Sequence, residues 1–143
     1  MAEFSWPVRV YYEDTDNGGV VYYANYLKFM ERARTEWLRA RGVEQDVLMA
    51  QEGLIFAVRS AQLDYLKPAR FNQLLSVSVG MAETGKASLT FDQTVNLITE
   101  GDDEVKSDLL LCQGRIRIAC LDANSLKPRV IPALIRQEIF GDG

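Results

Sequence analysis

The sequence predicts an α+β fold in which a curved antiparallel sheet of about five strands wraps around one long helix. Apolar residues recur every three or four positions over one early segment, and apolar and polar residues then alternate along several later segments. A sheet that is apolar on one face must cover that face, and the early segment has the only long apolar helical stripe. At 143 residues, the whole chain (1–143) is expected to form a single domain.

The first strand is predicted within residues 4–13, where Val8 and Val10 alternate with polar neighbours. The long helix is expected from about Tyr22 to Arg41. Gly42 is a suitable stop, because glycine readily adopts the left-handed conformation that follows a last helical turn. The apolar stripe of this helix is predicted to comprise Tyr23, Tyr26, Leu27, Met30, Ala33, Trp37 and Leu38, with Tyr22 as a further core aromatic residue.

Alternation predicts further strands around residues 60–65, 75–81, 88–97 and 115–120, in a meander. Turn-forming residues separate them at 83–86, 100–103 and 122–125. A short closing helix is expected within Val130–Phe140, starting near Pro132. Two copies joined edge to edge would remove an exposed strand edge, so a homodimer is expected.

The composition excludes several classes of protein. The formal charge of −4 disfavours an electrostatic grip on nucleic acid, and no apolar run approaches the roughly 20 residues that span a bilayer. The beginning of the chain lacks the basic and apolar regions of a secretory signal. Cys112 and Cys120 fall in a predicted strand and are expected to be reduced core thiols, which favours a cytoplasmic location.

The chain contains no histidine. This excludes Ser-His and Cys-His triads and any histidine-ligated metal centre. An acidic stretch, YEDTDNGGVVYYANY, runs into the start of the predicted helix and is a candidate metal-binding or catalytic site. A calcium loop starting at Asp14 is disfavoured, because Asn25 occupies the position at which such a loop needs a bidentate Glu.

Two interpretations of the acidic stretch stay open. Asp and Asn beside Gly18-Gly19 are typical of any tight strand-to-helix connection. Alternatively, a carboxylate just before a helix lies near backbone N–H groups that have no intrahelical acceptor, and these can polarise an acyl carbonyl. An aspartate is ionised at neutral pH and can attack that carbonyl or activate a water molecule. A thioester, which expels a thiolate, suits this chemistry better than an amide.

A set of ordered motifs closely resembles the hot-dog-fold acyl-CoA thioesterases, in particular the subgroup of the 4-hydroxybenzoyl-CoA thioesterases and the Tol–Pal-associated thioesterases. The resemblance extends from about Val8 to Arg136. Its motifs are Asp14-Thr15-Asp16, Gly19-Val20-Val21-Tyr22, Asn25-Tyr26, Glu31-Arg32-Ala33-Arg34, Leu63-Asp64-Tyr65-Leu66-Lys67-Pro68-Ala69-Arg70 and Gly85-Lys86-Ala87-Ser88-Leu89-Thr90-Phe91.

The resemblance implies hydrolysis of acyl-CoA to free acid and CoA, without a metal or organic cofactor, in a homodimer or a dimer of dimers whose site lies between two subunits. Asp16 would be the catalytic carboxylate, and the backbone N–H at Tyr23 would face the thioester carbonyl. Gly19 would allow close approach of the substrate, and Lys86 would lie near the CoA phosphates. Lys67 and Arg70 are further candidates for those phosphates. An acyl carrier protein is an alternative thioester carrier.

Alternatives remain for single residues and for the whole chain. Asp14 is more simply a helix or turn cap than a second catalyst. Glu31 is either a catalytic helix carboxylate, as in another hot-dog branch, or a structural partner of Arg34 or Thr35. The rival function is a non-hydrolytic acyl-CoA or acyl-carrier-protein binding module, or an envelope-complex adaptor. Hot-dog hydratases need a histidine, which this chain lacks.

Overall fold

The computed structural model describes residues 4–100 and 105–141 of the chain. It contains a five-stranded antiparallel sheet and one long helix, so the predicted α+β fold is confirmed. The elements in chain order are β1 (Phe4–Arg9), α1 (Asn25–Ala40), α2 (Gln45–Glu52), β2 (Leu54–Tyr65), β3 (Leu74–Thr84), β4 (Ser88–Glu100), β5 (Val105–Asp122) and α3 (Ala133–Phe140).

The strand order across the sheet is β1-β3-β4-β5-β2. Strands β3, β4 and β5 form the predicted meander, but β2 does not lie beside β3. It pairs instead with the distant β5, which sets Tyr65 opposite Cys112. Strands β1 and β2 are therefore the two edges, and the end of β2 lies beside the meander rather than leading directly into it.

Helix α1 covers one face of the sheet and packs against β1, β3 and β4. Its amphipathic pattern buries the apolar side chains of Tyr26, Phe29, Met30, Ala33, Trp37 and Leu38 against core residues such as Leu75, Val77, Phe91 and Ile116. The predicted stripe was wrong at Tyr23 and Leu27, which are exposed, and Tyr22 is exposed rather than in the core. The physical reason is that α1 begins only at Asn25, so Tyr22 and Tyr23 precede its first turn.

Several element boundaries differ from the sequence prediction. Strand β1 ends at Arg9 and is followed by a short 3-10 turn at Tyr12–Asp14. Helix α2 was not predicted, and β2 begins at Leu54, before the predicted start. Gly42, with φ +86°, follows the last turn of α1 as predicted. The closing helix α3 is also confirmed, whereas residues 101–103 of the predicted turn at 100–103 lie outside the described residues.

Both cysteines lie in β5, are buried and are free thiols, as predicted. Burial raises the pKa of Cys112 to about 12, so its thiol is protonated at neutral pH. Within the described part of the chain, no helix is both long and apolar enough to cross a membrane.

Candidate active site

The acidic stretch folds into a tight hairpin between β1 and α1. Thr15 pairs with Val21, the Asp16 N–H donates to the Val20 carbonyl at 2.9 Å, and the Gly19 N–H donates to the Asp16 carbonyl at 3.1 Å. Gly19 has φ +80°, a conformation that favours glycine, and no heavy atom lies within 4 Å of the position a Cβ would take. The predicted turn is therefore present, and it leaves open space beside Gly19.

The two aspartates of the hairpin have different surroundings. Asp14 is only 7% exposed, and its Oδ2 accepts the Tyr11 N–H at 2.8 Å, so its predicted role as a turn cap is confirmed. Asp16 is exposed, and its Oδ1 accepts the Gly18 N–H at 2.8 Å. No described residue bonds its second oxygen, Oδ2. Asp16 thus stabilises the turn with one oxygen and presents the other to the outside.

Two backbone N–H groups that directly precede α1, those of Tyr23 and Ala24, lack an acceptor among the described residues. The neighbouring amides are bonded: Tyr22 donates to the Asp14 carbonyl at 2.9 Å, and Asn25 donates to the Tyr22 carbonyl at 2.8 Å. Ala24 is the N-cap residue and has no side chain that could cap the helix. The positive end of the α1 dipole therefore has free donors next to the hairpin that carries Asp16.

A cavity of about 260 Å³ opens beside this helix start. It is lined by Val21, Tyr23, Tyr26, Tyr65, Leu66, Lys67 and Pro68. The rings of Tyr23 and Tyr26 both meet Tyr65 edge to face, with centroids 6.2 Å and 5.4 Å apart. Burial raises the pKa of both Tyr26 and Tyr65, so their hydroxyls are protonated at neutral pH. Aromatic walls and a few polar groups are what a cavity for an acyl group requires.

The three candidate cations do not lie together in one chain. Lys67 lines the cavity, and Arg70 follows it at a bridge to Val20 of the hairpin, with its side chain exposed. Lys86 lies beyond the other end of β3, whose 11 residues span about 36 Å at roughly 3.3 Å per residue. Lys67 and Arg70 are thus near the Asp16 hairpin, whereas Lys86 is at the far end of the same sheet.

Glu31 forms a hydrogen bond within its own helix. Its Oε2 accepts the Thr35 hydroxyl at 2.6 Å, which is one of the predicted helical pairs. Together with Arg34 it lines a separate cavity of about 80 Å³. This arrangement favours the structural interpretation of Glu31. Within the described residues, no three Asp, Glu or Cys side chains are grouped so that they could hold a metal ion.

A family model described as "Thioesterase superfamily" matches residues 18–102, which is more than half of the chain and includes the helix start and the cavity. The chain belongs to the thioesterase superfamily. This membership makes it a thioester hydrolase by family and confirms the resemblance that the motifs indicated. The match begins at Gly18, just after the Asp16 position.

Two curated relatives match almost the whole of this superfamily member. The acyl-CoA thioesterase YbgC of Haemophilus influenzae is 39% identical over 133 residues, which cover 93% of this chain and 91% of the relative. The acyl-CoA thioester hydrolase YbgC of Escherichia coli is 41% identical over 135 residues, covering 94% of each chain. The similarity therefore extends well beyond the segment that the family model matches.

Solved structures agree with this assignment. A probable thioesterase from Bartonella henselae superposes with a TM-score of 0.80 at 32% identity, covering 92% of this chain and 100% of that one. A 4-hydroxybenzoyl-CoA thioesterase in complex with 4-hydroxybenzoyl-CoA gives a TM-score of 0.82 at 16% identity, covering 96% and 98%. At that identity the second match concerns the fold alone, and it confirms the predicted hot-dog fold.

Two features of the site were not identified from the sequence. Ala24 supplies a second free amide, and Tyr65 places its ring in the cavity and its hydroxyl 3.1 Å from the Tyr23 carbonyl. The sequence did contain a signal for Tyr65, because it lies within the LDYLKPAR motif. Nothing in the motif, however, indicates that this strand end reaches the helix start.

Proposed function

We propose that this thioesterase-superfamily member hydrolyses acyl-CoA to free acid and CoA, with Asp16 as its catalytic carboxylate. The observation that carries the proposal is an exposed Asp16 oxygen on a hairpin, closed by the Thr15–Val21 pair, that leads directly into the free amides at the start of α1. The relatives named as acyl-CoA thioesterases support the substrate class. The 143 residues would act as one hot-dog domain.

In the proposed reaction, the thioester carbonyl oxygen accepts hydrogen bonds from the backbone N–H groups of Tyr23 and Ala24. Asp16 either attacks the carbonyl carbon or removes a proton from an attacking water. As the tetrahedral intermediate forms, negative charge grows on the oxygen, and the two amides and the helix dipole stabilise it. The C–S bond then breaks and CoA leaves as a thiolate. If water was the nucleophile, the acyl group is now the free acid, and Asp16 gives up the proton it took. If Asp16 was the nucleophile, the acyl group is bound to it as a mixed anhydride, which a water molecule then hydrolyses to the free acid and the Asp16 carboxylate. Because a thiolate is a good leaving group, no histidine is needed to protonate it.

The cavity beside Tyr23 would hold the acyl group, and Gly19 would let the pantetheine arm pass close to the hairpin. Lys67 and Arg70 would contact the CoA phosphates of the same site. Lys86 is too far along the sheet to do so in its own chain, and it would serve the site of a partner subunit. A homodimer, alone or paired into a tetramer, is therefore part of the proposal, as are a cytoplasmic location and acyl carrier protein as an alternative carrier.

The proposal is tested by the Asp16→Asn substitution. The amide oxygen of Asn can still accept the Gly18 N–H, so the fold should persist, while turnover of acyl-CoA substrates should fall about 100-fold or more. CoA release can be followed with a thiol reagent, because both cysteines of the protein are buried. Glu13→Gln removes an equal charge from a nearby exposed position and should leave turnover unchanged.

Hydrolysis by Asp16→Asn at the wild-type rate would contradict the role of Asp16. Binding of acyl-CoA by the wild-type protein without any release of CoA would instead indicate the non-hydrolytic binding module. Single turnovers in oxygen-18 water separate the two chemical routes, since a covalent acyl-aspartate whose aspartyl carbonyl is attacked leaves the label in Asp16. Substrates with short, long and aromatic acyl groups should be compared in the same assay.

A further inference from the structure

The two free amides at the start of α1 are held in place in different ways. A peptide group is planar, and its C=O and N–H point in opposite directions. The Tyr22 carbonyl accepts the Asn25 N–H at 2.8 Å, so the helix itself orients the peptide that carries the Tyr23 amide. The Tyr23 carbonyl accepts the Tyr65 hydroxyl at 3.1 Å, so the peptide that carries the Ala24 amide is oriented from outside the helix.

Tyr65 is itself fixed by the sheet. It is the last residue of β2 and pairs with Cys112 of β5, and its ring contacts Tyr26 and Tyr23 edge to face. The Tyr26 hydroxyl in turn accepts the Ala69 N–H at 3.0 Å. The position of the Tyr65 hydroxyl is thus determined by the strand and the neighbouring rings, and the helix start is tied to the sheet through it.

We infer that Tyr65 is a positioning residue and that the Ala24 amide is a second donor to the carbonyl oxygen of the substrate. Through the Tyr23–Ala24 peptide, the Tyr65 hydroxyl aims the Ala24 N–H outward. A hydrogen bond to the carbonyl of a peptide also makes the N–H of that peptide a stronger donor. This inference rests on the proposed function, since it assigns a role in the same reaction.

The alternative role for Tyr65 is that of a plain cavity wall. A wall residue affects substrates according to the shape of their acyl group, and its effect appears largely in KM. A positioning residue acts on the thioester carbonyl, which all substrates share, and its effect appears in kcat because the donor matters most when charge develops on the oxygen. The two roles therefore predict different kinetic patterns.

The Tyr65→Phe substitution distinguishes them, because it keeps the ring and removes only the hydroxyl. We expect kcat to fall about 3- to 10-fold, the effect of one lost hydrogen bond, with KM changed less than about twofold. The factor should be the same for short aliphatic and aromatic acyl-CoA substrates. Tyr12→Phe is the matched control, since Tyr12 has an exposed ring that contacts Phe71, and its substitution should leave kcat unchanged.

A second measurement does not depend on turnover. In protein labelled with carbon-13 and nitrogen-15, Tyr65→Phe should shift the resonance of the Tyr23 carbonyl carbon and of the Ala24 amide, while Tyr12→Phe should shift neither. Unchanged resonances, an unchanged kcat, or a loss that varies with the acyl group would each overturn the inference. Failure of the wild-type protein to release CoA from any substrate would refute the proposed function itself, and the inference with it.

Discussion

Asp14 and Asp16 have the same side chain and lie two positions apart, yet their hydrogen bonds differ. Asp14 turns back into the chain and accepts the Tyr11 N–H, whereas Asp16 faces outward and bonds only to its own turn through Gly18. The sequence could not separate them on physical grounds, because the direction of each side chain depends on the 3-10 turn at Tyr12–Asp14, which no pattern predicted. Only the family resemblance singled out Asp16 as the candidate catalytic residue.

This difference predicts unequal effects of substituting the two residues on stability. Asp14→Ala leaves the Tyr11 N–H without its acceptor in a partly buried place, so the free energy of unfolding should fall by about 1–2 kcal/mol. Asp16→Asn should change it by less than about 0.5 kcal/mol, because an exposed acceptor is replaced by another. Urea denaturation followed by circular dichroism measures both. Equal losses in the two variants would contradict the distinct roles.

At the scale of elements, the sequence predicted the types of secondary structure better than their contacts. The helical period and Gly42 were sufficient to predict most of α1, and the alternation of apolar and polar residues was sufficient to predict β3 and β4. The pairing of β2 with β5 was not predictable, because it joins residues that are 47 (Tyr65 and Cys112) to 68 (Leu54 and Asp122) positions apart and depends on how α1 fills the sheet. For the same reason, the approach of Tyr65 to the helix start was missed.

A buried polar link also joins α1 to the sheet. Arg34 donates to Gln93 Oε1 at 2.9 Å, and Gln93 Nε2 donates to the carbonyls of Met30 and Ser78, each at 3.1 Å. Burial lowers the pKa of Arg34 to about 10, which still leaves it charged at neutral pH. The side chain of Gln93 is only 1% exposed, so no water can replace it without a change in packing. The link therefore helps to hold α1 in place against β3 and β4.

Gln93→Leu should lower the free energy of unfolding by about 2–3 kcal/mol, since it leaves a buried guanidinium and two carbonyls without their partner. Adding Arg34→Met to this variant should cost less than it does in the wild type, because the charge that Gln93 satisfied is then gone. A double-mutant cycle in urea should give a coupling of about 1–2 kcal/mol. Additive losses would show that the two side chains stabilise the fold independently.

At the scale of the whole molecule, one chain leaves part of its apolar face uncovered. Helix α1 packs mainly against β1, β3 and β4. On the inner side of edge strand β2, which faces the helix, α1 leaves a cavity that Phe56 and Val58 line. Val58 on that side is 54% exposed, and Tyr65 and Leu66 at the end of β2 are also exposed. A long edge strand with exposed apolar side chains promotes association with another chain. This geometry supports the proposed homodimer.

Val58→Lys should therefore weaken self-association. A second copy that covers the inner side of β2 would have to bury the charge of the new lysine. The dissociation constant of the dimer should therefore rise at least about tenfold above that of the wild type. Ser60→Lys, which places the same charge on the outer side of the same strand, is the matched control. Analytical ultracentrifugation measures both. Equal effects, or none, would contradict an interface at the inner side of β2.

The position of Lys86 allows a test of whether one active site contains residues from both chains of a dimer. Asp16→Asn alone should give little turnover, and Lys86→Ala alone should raise KM about tenfold, because a phosphate loses a charged hydrogen-bond donor. In a mixed dimer of the two variants, one site combines the intact Asp16 of one chain with the intact Lys86 of the other. Dimers purified through two different affinity tags should then show about half the wild-type kcat with the wild-type KM. If Lys86 serves its own chain, neither site is intact, and turnover should retain the raised KM.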